Sequence, residues 1–337
     1  MKNRRSLSLL SSVIVAFFLP HVLPAAEDLP YLHGPYSPFP VLEQASKKAP
    51  KDGPVKFVVM GDSRHGKAFL KILELAKSLK PDLIIHTGDM VNHGSGDISD
   101  WFELEKEISS LSRTTPFLPT EGNHELMITP ASIGRQRFLK FFALENPWYT
   151  ADFANCRFIF LGWEFEKDKA QMLWLQKTIR DRGDKHLFIV THIPFYTVGE
   201  KSAEEIPNSP TKTTAMFTSF GAEIVFSGHE HMYYRTERAG TTYVISGAAG
   251  AEPYALERRS GAIDGDCWLA VSEETGKYVR KDPVTGRETP ADTPFCIVEV
   301  TVQGDKITCR AIDVNGREID NFIPAKYKEV VPNSQPK

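Results

Sequence analysis

The sequence predicts an α/β fold, on three observations. Short apolar runs rich in Val, Ile and Phe alternate with segments whose apolar residues recur at three and four, the alternation of strands and amphipathic helices. Prolines and glycines punctuate the joints; Pro81, for example, stops one helical pattern just before the next strand. At 337 residues, with 41% hydrophobic and 25% charged residues, the chain can bury one large core, and its composition points to neither disorder nor fibre.

Taken in order, the run KFVVMGD reads as a strand from Val55, followed by the helix KAFLKILELAKSL and the strand DLIIHTGD. SDWFELEKEISSL is amphipathic, with Ser99 or Asp100 as its expected N-cap, and leads into the strand PFLPTEGNHE. Residues 132–144 have helical period. WYTADFANCRFIFLGW reads as two strands around a turn at Ala154 and Asn155, and KAQMLWLQKTIRD as the helix after them. HLFIVTHIP and AEIVFSGHEH are short buried strands, and TTYVISGAAG and FCIVEVTVQGDKITCRAIDVNG continue as β-structure. Residues 252–294, rich in Gly, Pro and charge, read as a loop excursion with room for one hairpin.

The N-terminus differs from this pattern. Lys2, Arg4 and Arg5 precede an apolar run from Leu7 to Leu19, then Pro20, Pro24, Ala25 and Ala26, the order of a secretory signal peptide. The apolar run is shorter than the ~20 residues a spanning helix needs. The expected organisation is a signal peptide over 1–26, a Pro-rich surface segment over 27–54, one domain over 55–325 and a tail over 326–337. Export to a secreted or periplasmic location follows, with no membrane attachment after cleavage. The formal charge of −3 becomes more negative by the three leader cations, so the mature chain has no global electrostatic reason to bind nucleic acid. The pattern leaves the oligomeric state open.

Four cysteines, Cys156, Cys267, Cys296 and Cys309, suit either two disulfides in an oxidising compartment or buried thiols. A two-residue turn at Gly304 and Asp305 sets Cys309 opposite Val300, too far along the hairpin for a bond to Cys296.

Five apolar runs end in carboxylate, amide or imidazole side chains: VVMGDSRH, LIIHTGDMVN, FLPTEGNHE, LFIVTH and IVFSGHEH. In α/β sheets ligands bind beyond the carboxyl ends of strands, so Asp62, Asp89, Asn123, His192, His229 and His231 are expected to converge. One Gly-Asp or one His after a strand is a common structural feature; the recurrence in five segments is what carries weight. This donor mixture suits Mn, Fe or Zn, and a pair of ions about 3.5–4 Å apart needs a shared carboxylate, for which Asp89 is the choice.

In this order GD, GD, GNHE, H and GHxH resemble the calcineurin-like metallophosphoesterase superfamily over roughly residues 55–235. The segments WYTADFANCRFIFL, QMLWLQ and GHEHMYYR are similar to its purple acid phosphatase branch. The resemblance implies a four-layer α/β/β/α sandwich of two mixed sheets flanked by helices, with the site at one sheet edge. It implies two divalent or trivalent metal ions, one on Asp62, Asp89 and His231, the other on Asp89, Asn123, His192 and His229. It also implies that His124 is the general acid for the leaving group, with hydroxide from a water of lowered pKa as nucleophile.

Two positions depart from that pattern. Arg64 stands where many members carry a His, with His65 one place later, and Asn92 stands where the purple enzymes have a tyrosine ligand, so the chain is not expected to be purple. Arg64 is a candidate phosphate contact, His65 and Asn92 candidate fill-in ligands, His93 a substrate-side group, and Glu125 a partner orienting His124. Tyr196, Tyr233 and Tyr234 are candidate cleft residues, Arg135 and Arg137 a candidate basic rim or solvated helix face, and His86 a packing residue. The resulting expectation is a phosphoesterase acting on a small phosphorylated substrate, with phosphomonoesters favoured. A phosphodiesterase of nucleotides or nucleic acid, and a non-catalytic binding protein with a degenerate first metal site, are the alternatives.

Overall fold

The computed structural model describes residues 36–49, 53–127, 129–201, 205–206 and 208–327. The leader expected over residues 1–26 lies outside the described residues. The chain runs α1 (Pro38–Lys48), β1 (Val55–Met60), α2 (Lys67–Leu79), β2 (Leu83–His86), α3 (Ser99–Ser112), β3 (Phe117–Pro119), α4 (Asn123–Leu126) and α5 (Ala131–Phe142). Then come β4 (Tyr149–Phe153), β5 (Cys156–Phe160), α6 (Lys169–Arg180), β6 (His186–Val190), α7 (Lys212–Ser219), β7 (Ile224–Ser227), β8 (Tyr233–Arg238) and β9 (Thr241–Ser246). The last strands are β10 (Cys267–Val271), β11 (Tyr278–Lys281), β12 (Glu288–Pro290), β13 (Cys296–Gln303), β14 (Lys306–Asp313) and β15 (Glu318–Phe322).

Two mixed sheets result. One has the order β15-β14-β13-β1-β2-β3, the other β12-β11-β10-β8-β9-β7-β6-β5-β4. Within them β1, β2 and β3 are parallel, as are β5, β6 and β7, so each sheet sends a set of carboxyl ends to one edge.

Strand alternation builds the layers, because successive side chains point to opposite faces. In β1, Phe57 and Val59 enter the core between the sheets while Val58 and Met60 face the helices. In β6, Phe188 and Val190 enter that same core, and Leu187 and Ile189 face outward. Phe57 meets Phe158 and Phe188 edge-on, each at 5.1 Å between centroids. Outside the first sheet α2, α3 and α5 pack Phe69, Trp101, Ile108 and Phe138; outside the second α6 and α7 pack Leu175, Ile179 and Phe217. The four-layer sandwich expected from the sequence is the architecture observed.

Several local expectations change. The Pro-rich segment 27–54 contains α1, started by prolines at its first turn and held by Leu42 in the inter-sheet core. Neither Ser99 nor Asp100 caps α3; the Asp97 carboxylate accepts from the Ser99 amide at 2.9 Å. The excursion 252–294 extends the second sheet by three strands, β10 joining β8 and then β11 and β12 pairing in turn. Helix α7 opens with a capping box of Thr211 and Thr214.

The four cysteines are free and buried, so the disulfide alternative falls and the buried-thiol reading holds. The hairpin register places Cys309 opposite Val300 and Cys296 opposite Asp313, as the turn at Gly304 and Asp305 predicts. Beyond residue 325, Lys326 Nζ reaches the buried Glu223 carboxylate at 3.0 Å. Among the described residues no helix is long and apolar enough to cross a membrane.

Candidate metal centre

The site lies where the parallel strands of both sheets end. Asp62 follows β1, Asp89 follows β2, Asn123 begins α4 after β3, His192 follows β6, and His229 and His231 follow β7. Each chain reversal is sharp. Asp62, Asp89 and His229 have φ of 53°, 59° and 70°, the left-handed region, and Arg64 has 49°. Such backbone costs of order 1 kcal/mol or more per residue and persists where surrounding bonds hold it. Here the Asp62 amide donates to the Gly88 carbonyl at 2.9 Å, the His229 amide to the Asp62 carboxylate at 2.9 Å, and the Arg64 amide to the Asp89 carbonyl at 3.2 Å.

The glycines before the ligand candidates make the approach possible. A Cβ on Gly122 would lie 2.2 Å from Asp89 Oδ1, and one on Gly228 2.3 Å from Asp62 Oδ2.

The imidazole tautomers are set by what their outer nitrogens touch. His192 Nδ1 faces the Thr87 carbonyl at 2.7 Å, His231 Nδ1 the Glu252 carbonyl at 2.6 Å, and His229 Nε2 the Glu205 carboxylate. Each of these nitrogens is therefore the donor, and the inward nitrogen keeps its lone pair. His192 Nε2 then lies 3.0 Å from Asn123 Oδ1, 3.3 Å from His229 Nδ1 and 3.4 Å from Asp89 Oδ1. His229 Nδ1 is also 3.0 Å from Asn123 Oδ1. Four acceptors meet with no donor hydrogen among them, an arrangement a cation satisfies.

Beside it, donor atoms of Asp62, Asp89 and His231 all lie within 4.8 Å of one another, with His231 Nε2 3.6 Å from Asp62 Oδ1. All three are buried. Burial, reinforced by the neighbouring Asp89 carboxylate, raises the Asp62 pKa well above the usual range. Burial also pushes His231 down to about 3 and His192 down to about 4, so both rings are neutral at neutral pH, the form a metal ligand needs. The donor set of carboxylate, amide and imidazole fits one or two ions of the Mn, Fe or Zn type.

The calcineurin-like phosphoesterase family model matches residues 55–233, the stretch that carries all six residues. The chain belongs to the calcineurin-like phosphoesterase family. Within that metal-dependent family it is similar to Purple acid phosphatase 22 of Arabidopsis thaliana, 24% identical over 212 residues that make up 58% of this chain and 48% of that protein. Serine/threonine-protein phosphatase CPPED1 of Homo sapiens is 23% identical over 197 residues, 51% of this chain and 60% of that one. The chain spans about half the length of the curated plant relatives it matches. In fold it is similar to purple acid phosphatase PPD1 from yellow lupin, with a TM-score of 0.63, 17% identity, and coverage of 81% of this chain and 54% of that one.

The other residues of this calcineurin-like phosphoesterase sort by their contacts. His124 stands at the mouth: its Nδ1 faces the Asn92 carbonyl at 2.6 Å, and its Nε2 is 3.9 Å from Asp89 Oδ2. Asn92 thus holds His124 through its backbone. Arg64 Nη2 contacts Asp89 Oδ2 at 3.2 Å, and its Nε is buried without a protein partner. His65 turns away to Glu107 at 3.1 Å and Asp100 at 3.6 Å, two carboxylates of α3, so the fill-in role expected for it is not realised. The exposed His93 ring lies 6.4 Å from His124.

Glu125 does not orient His124. Its buried carboxylate accepts from the amides of Gly122 at 2.6 Å, Met90 at 2.7 Å and Asp89 at 2.9 Å, clamping the loops after β2 and β3 together. The three tyrosines are not cleft residues either: Tyr233 donates to Asp320, Tyr234 donates to Asp266, and Tyr196 packs on Tyr243. Nor do the arginines form a rim. Arg135 pairs with the buried Glu121 at 2.6 Å, and Arg137 donates to the carbonyls of Gly94 and Gly96. His86 is a packing residue as expected, buried, bonded to Ser63 at 3.0 Å and pushed down to about 3 by burial.

Three residues at the site escape the sequence patterns used. Glu205 reaches His229 from an irregular loop with no marker, and Tyr254 stacks on His231 at 3.9 Å from the second-sheet excursion. Trp163 lies 5.7 Å from the His192 ring and 5.8 Å from His229; it follows β5, which runs parallel to β6, so the strand-end rule applied to that strand as well points to it.

Proposed function

We propose that this chain is an exported phosphoesterase with a dinuclear metal centre that hydrolyses small phosphate esters. Asp62, Asp89 and His231 would hold one ion, and Asp89, Asn123, His192 and His229 the other, with Asp89 common to both sets. The observation that carries this reading is the convergence of His192 Nε2, His229 Nδ1, Asn123 Oδ1 and Asp89 Oδ1, with the outer nitrogens of both rings turned to acceptors. When bound, such ions lower the pKa of a water and neutralise phosphoryl oxygens.

The protein's own groups do the rest. The Thr87 and Glu252 carbonyls and the Glu205 carboxylate fix the three imidazoles with their lone pairs inward. His124 donates Nδ1–H to the Asn92 carbonyl, so its Nε2 carries a proton to the departing oxygen only as the imidazolium, a form that burial disfavours and the Asp89 carboxylate favours. Arg64, beside Asp89, offers its guanidinium to the phosphoryl group. The names of the phosphatases it resembles favour this activity, and the leader-like N-terminus favours export to a secreted or periplasmic site.

The test is hydrolysis of 4-nitrophenyl phosphate by purified mature protein after chelation and after adding back Mn, Fe or Zn. Activity lost with the chelator and restored by one metal supports the reading. Folded protein inactive with every metal, on monoester and diester alike, contradicts it.

One contact favours a second reading. The Arg64 charge sits 3.2 Å from Asp89 Oδ2, where it competes with an ion on Asp62, Asp89 and His231. A one-ion binding protein without hydrolytic activity then follows, and in it His124→Ala changes neither metal content nor ligand binding.

A further inference from the structure

Two cavities flank the centre and, among the described residues, share no lining residue. One, of about 670 Å³, has Arg64, Asn92, His124, His231 and Tyr254 in its wall. The other, of about 380 Å³, is lined by Trp163, Phe165, His192, Ile193, Pro194 and Phe195. The first is polar and contains the proton donor assigned above. The second presents mostly apolar surface, with Glu164, Glu166, Lys167, Thr191, Glu205 and Thr211 also in its wall.

The charges around the second cavity are already engaged. Glu205 is bonded to His229, Glu166 accepts from the Thr213 hydroxyl at 2.5 Å, and Glu164 pairs with Lys167 at 2.5 Å. Among the described residues lining it, Lys167 is the one Lys or Arg and pairs with Glu164, while Glu164, Glu166 and Glu205 disfavour a second phosphate, so the cavity suits an uncharged organic group. Trp163 joins cavity to centre, because its ring lies against both His192 and His229. A group esterified to a phosphorus over the centre reaches that ring directly.

A phosphomonoester carries one organic group, which must leave on the His124 side; it has nothing to place against Trp163. We propose that the Trp163 cavity binds an aromatic or apolar arm that stays on phosphorus, so that the preferred substrate is a phosphodiester with one such arm. This rests on the hydrolytic reading above and departs from the phosphomonoester preference expected from sequence. In the step, the oxygen of water bonds to phosphorus and the P–O bond on the His124 side breaks, its electron pair going to the departing oxygen. That oxygen takes the Nε2 proton of the His124 imidazolium, and a proton of the attacking water restores the imidazolium. The products are an alcohol and a phosphomonoester that keeps the apolar arm.

The experiment compares kcat/KM of metal-loaded protein for phenyl 4-nitrophenyl phosphate, methyl 4-nitrophenyl phosphate and 4-nitrophenyl phosphate, which share one leaving group. The expected result is a preference of at least tenfold for the phenyl over the methyl diester, with the monoester below the phenyl diester. Trp163→Leu, which removes the ring, and Ile193→Trp, which fills the cavity, should each shrink the phenyl-to-methyl ratio toward one. Calorimetry with phenylphosphonate and methylphosphonate reads the same preference without turnover. Equal kcat/KM for the two diesters, a monoester turned over fastest, or ratios unchanged in both variants would overturn the proposal while leaving the hydrolytic reading intact. Failure of all three substrates to react sinks the hydrolytic reading instead, and the phosphonate affinities then decide the cavity alone.

Discussion

The carboxylate of Glu125 accepts the backbone amide of Asp89 at 2.9 Å, from 36 positions along the chain. With the amides of Gly122 and Met90 it ties the loop after β2 to the loop after β3, so Asp89 and Asn123 are fixed relative to each other. Burial, together with the nearby Asp89 charge, raises the Glu125 pKa to about 7. Glu125→Ala leaves several buried amides without an acceptor, at roughly 1–3 kcal/mol for each. Urea unfolding followed by circular dichroism should show that loss, and metal affinity in protein that still folds should fall about 10–100-fold.

Gly122→Ala tests how closely the loops must approach. The φ of Gly122 is −106°, which any residue adopts, so the substitution acts through its Cβ against Asp89 Oδ1 rather than through backbone strain. Displacing a shared carboxylate by even ~1 Å is expected to cost about 10²-fold in kcat/KM. A variant with wild-type turnover and metal content would mean that Asp89 does not hold its position at the centre.

Much of this centre is legible in sequence because each ligand candidate sits at a strand end, where strand periodicity and the strand-end rule specify position together. What is not legible depends on contacts distant in sequence. His65 looks like a ligand until α3 brings Glu107 beside it, and the role of Glu125 is visible only when the amides after β2 fold over it. Glu205 comes from an irregular loop, and β10 to β12 are strands by virtue of pairing with β8 and with one another rather than by pattern. The parallel edges, by contrast, are buried on both faces and read as apolar runs.

Stability should depend on pH through His186 and Glu223, 3.2 Å apart. The hydrogen bond to Glu223 raises His186 above its usual 6.5, and that gain is present below pH 6.5 and lost as pH rises through the raised value. Glu223 is lowered from 4.5: burial opposes its charge, but bonds from His186, the Leu187 amide and Lys326 outweigh it. Its contribution is present above pH 4.5 and lost as pH falls through the lowered value. The difference in unfolding free energy between wild type and His186→Gln should therefore be larger at pH 5.5 than at pH 8.5. An equal difference at both would remove the pair from the account.

The four buried thiols give a chemical test. Burial pushes Cys156 up to about 12 and raises the other three as well, so native protein should react slowly with a thiol reagent. In denaturant, without prior reduction, titration should give about four thiols per chain, matching the four free cysteines. Two or fewer would reveal a disulfide.

The most direct measurement is the metal content of the purified protein after reloading with Mn, Fe or Zn and removal of free ion, read by elemental analysis alongside His192→Ala and Asp89→Asn. The account predicts two ions per chain in the wild type, about one in His192→Ala and fewer than one in Asp89→Asn, with hydrolysis falling in step. Wild type that retains no metal, or variants that bind as much as wild type, would contradict a centre built on these residues.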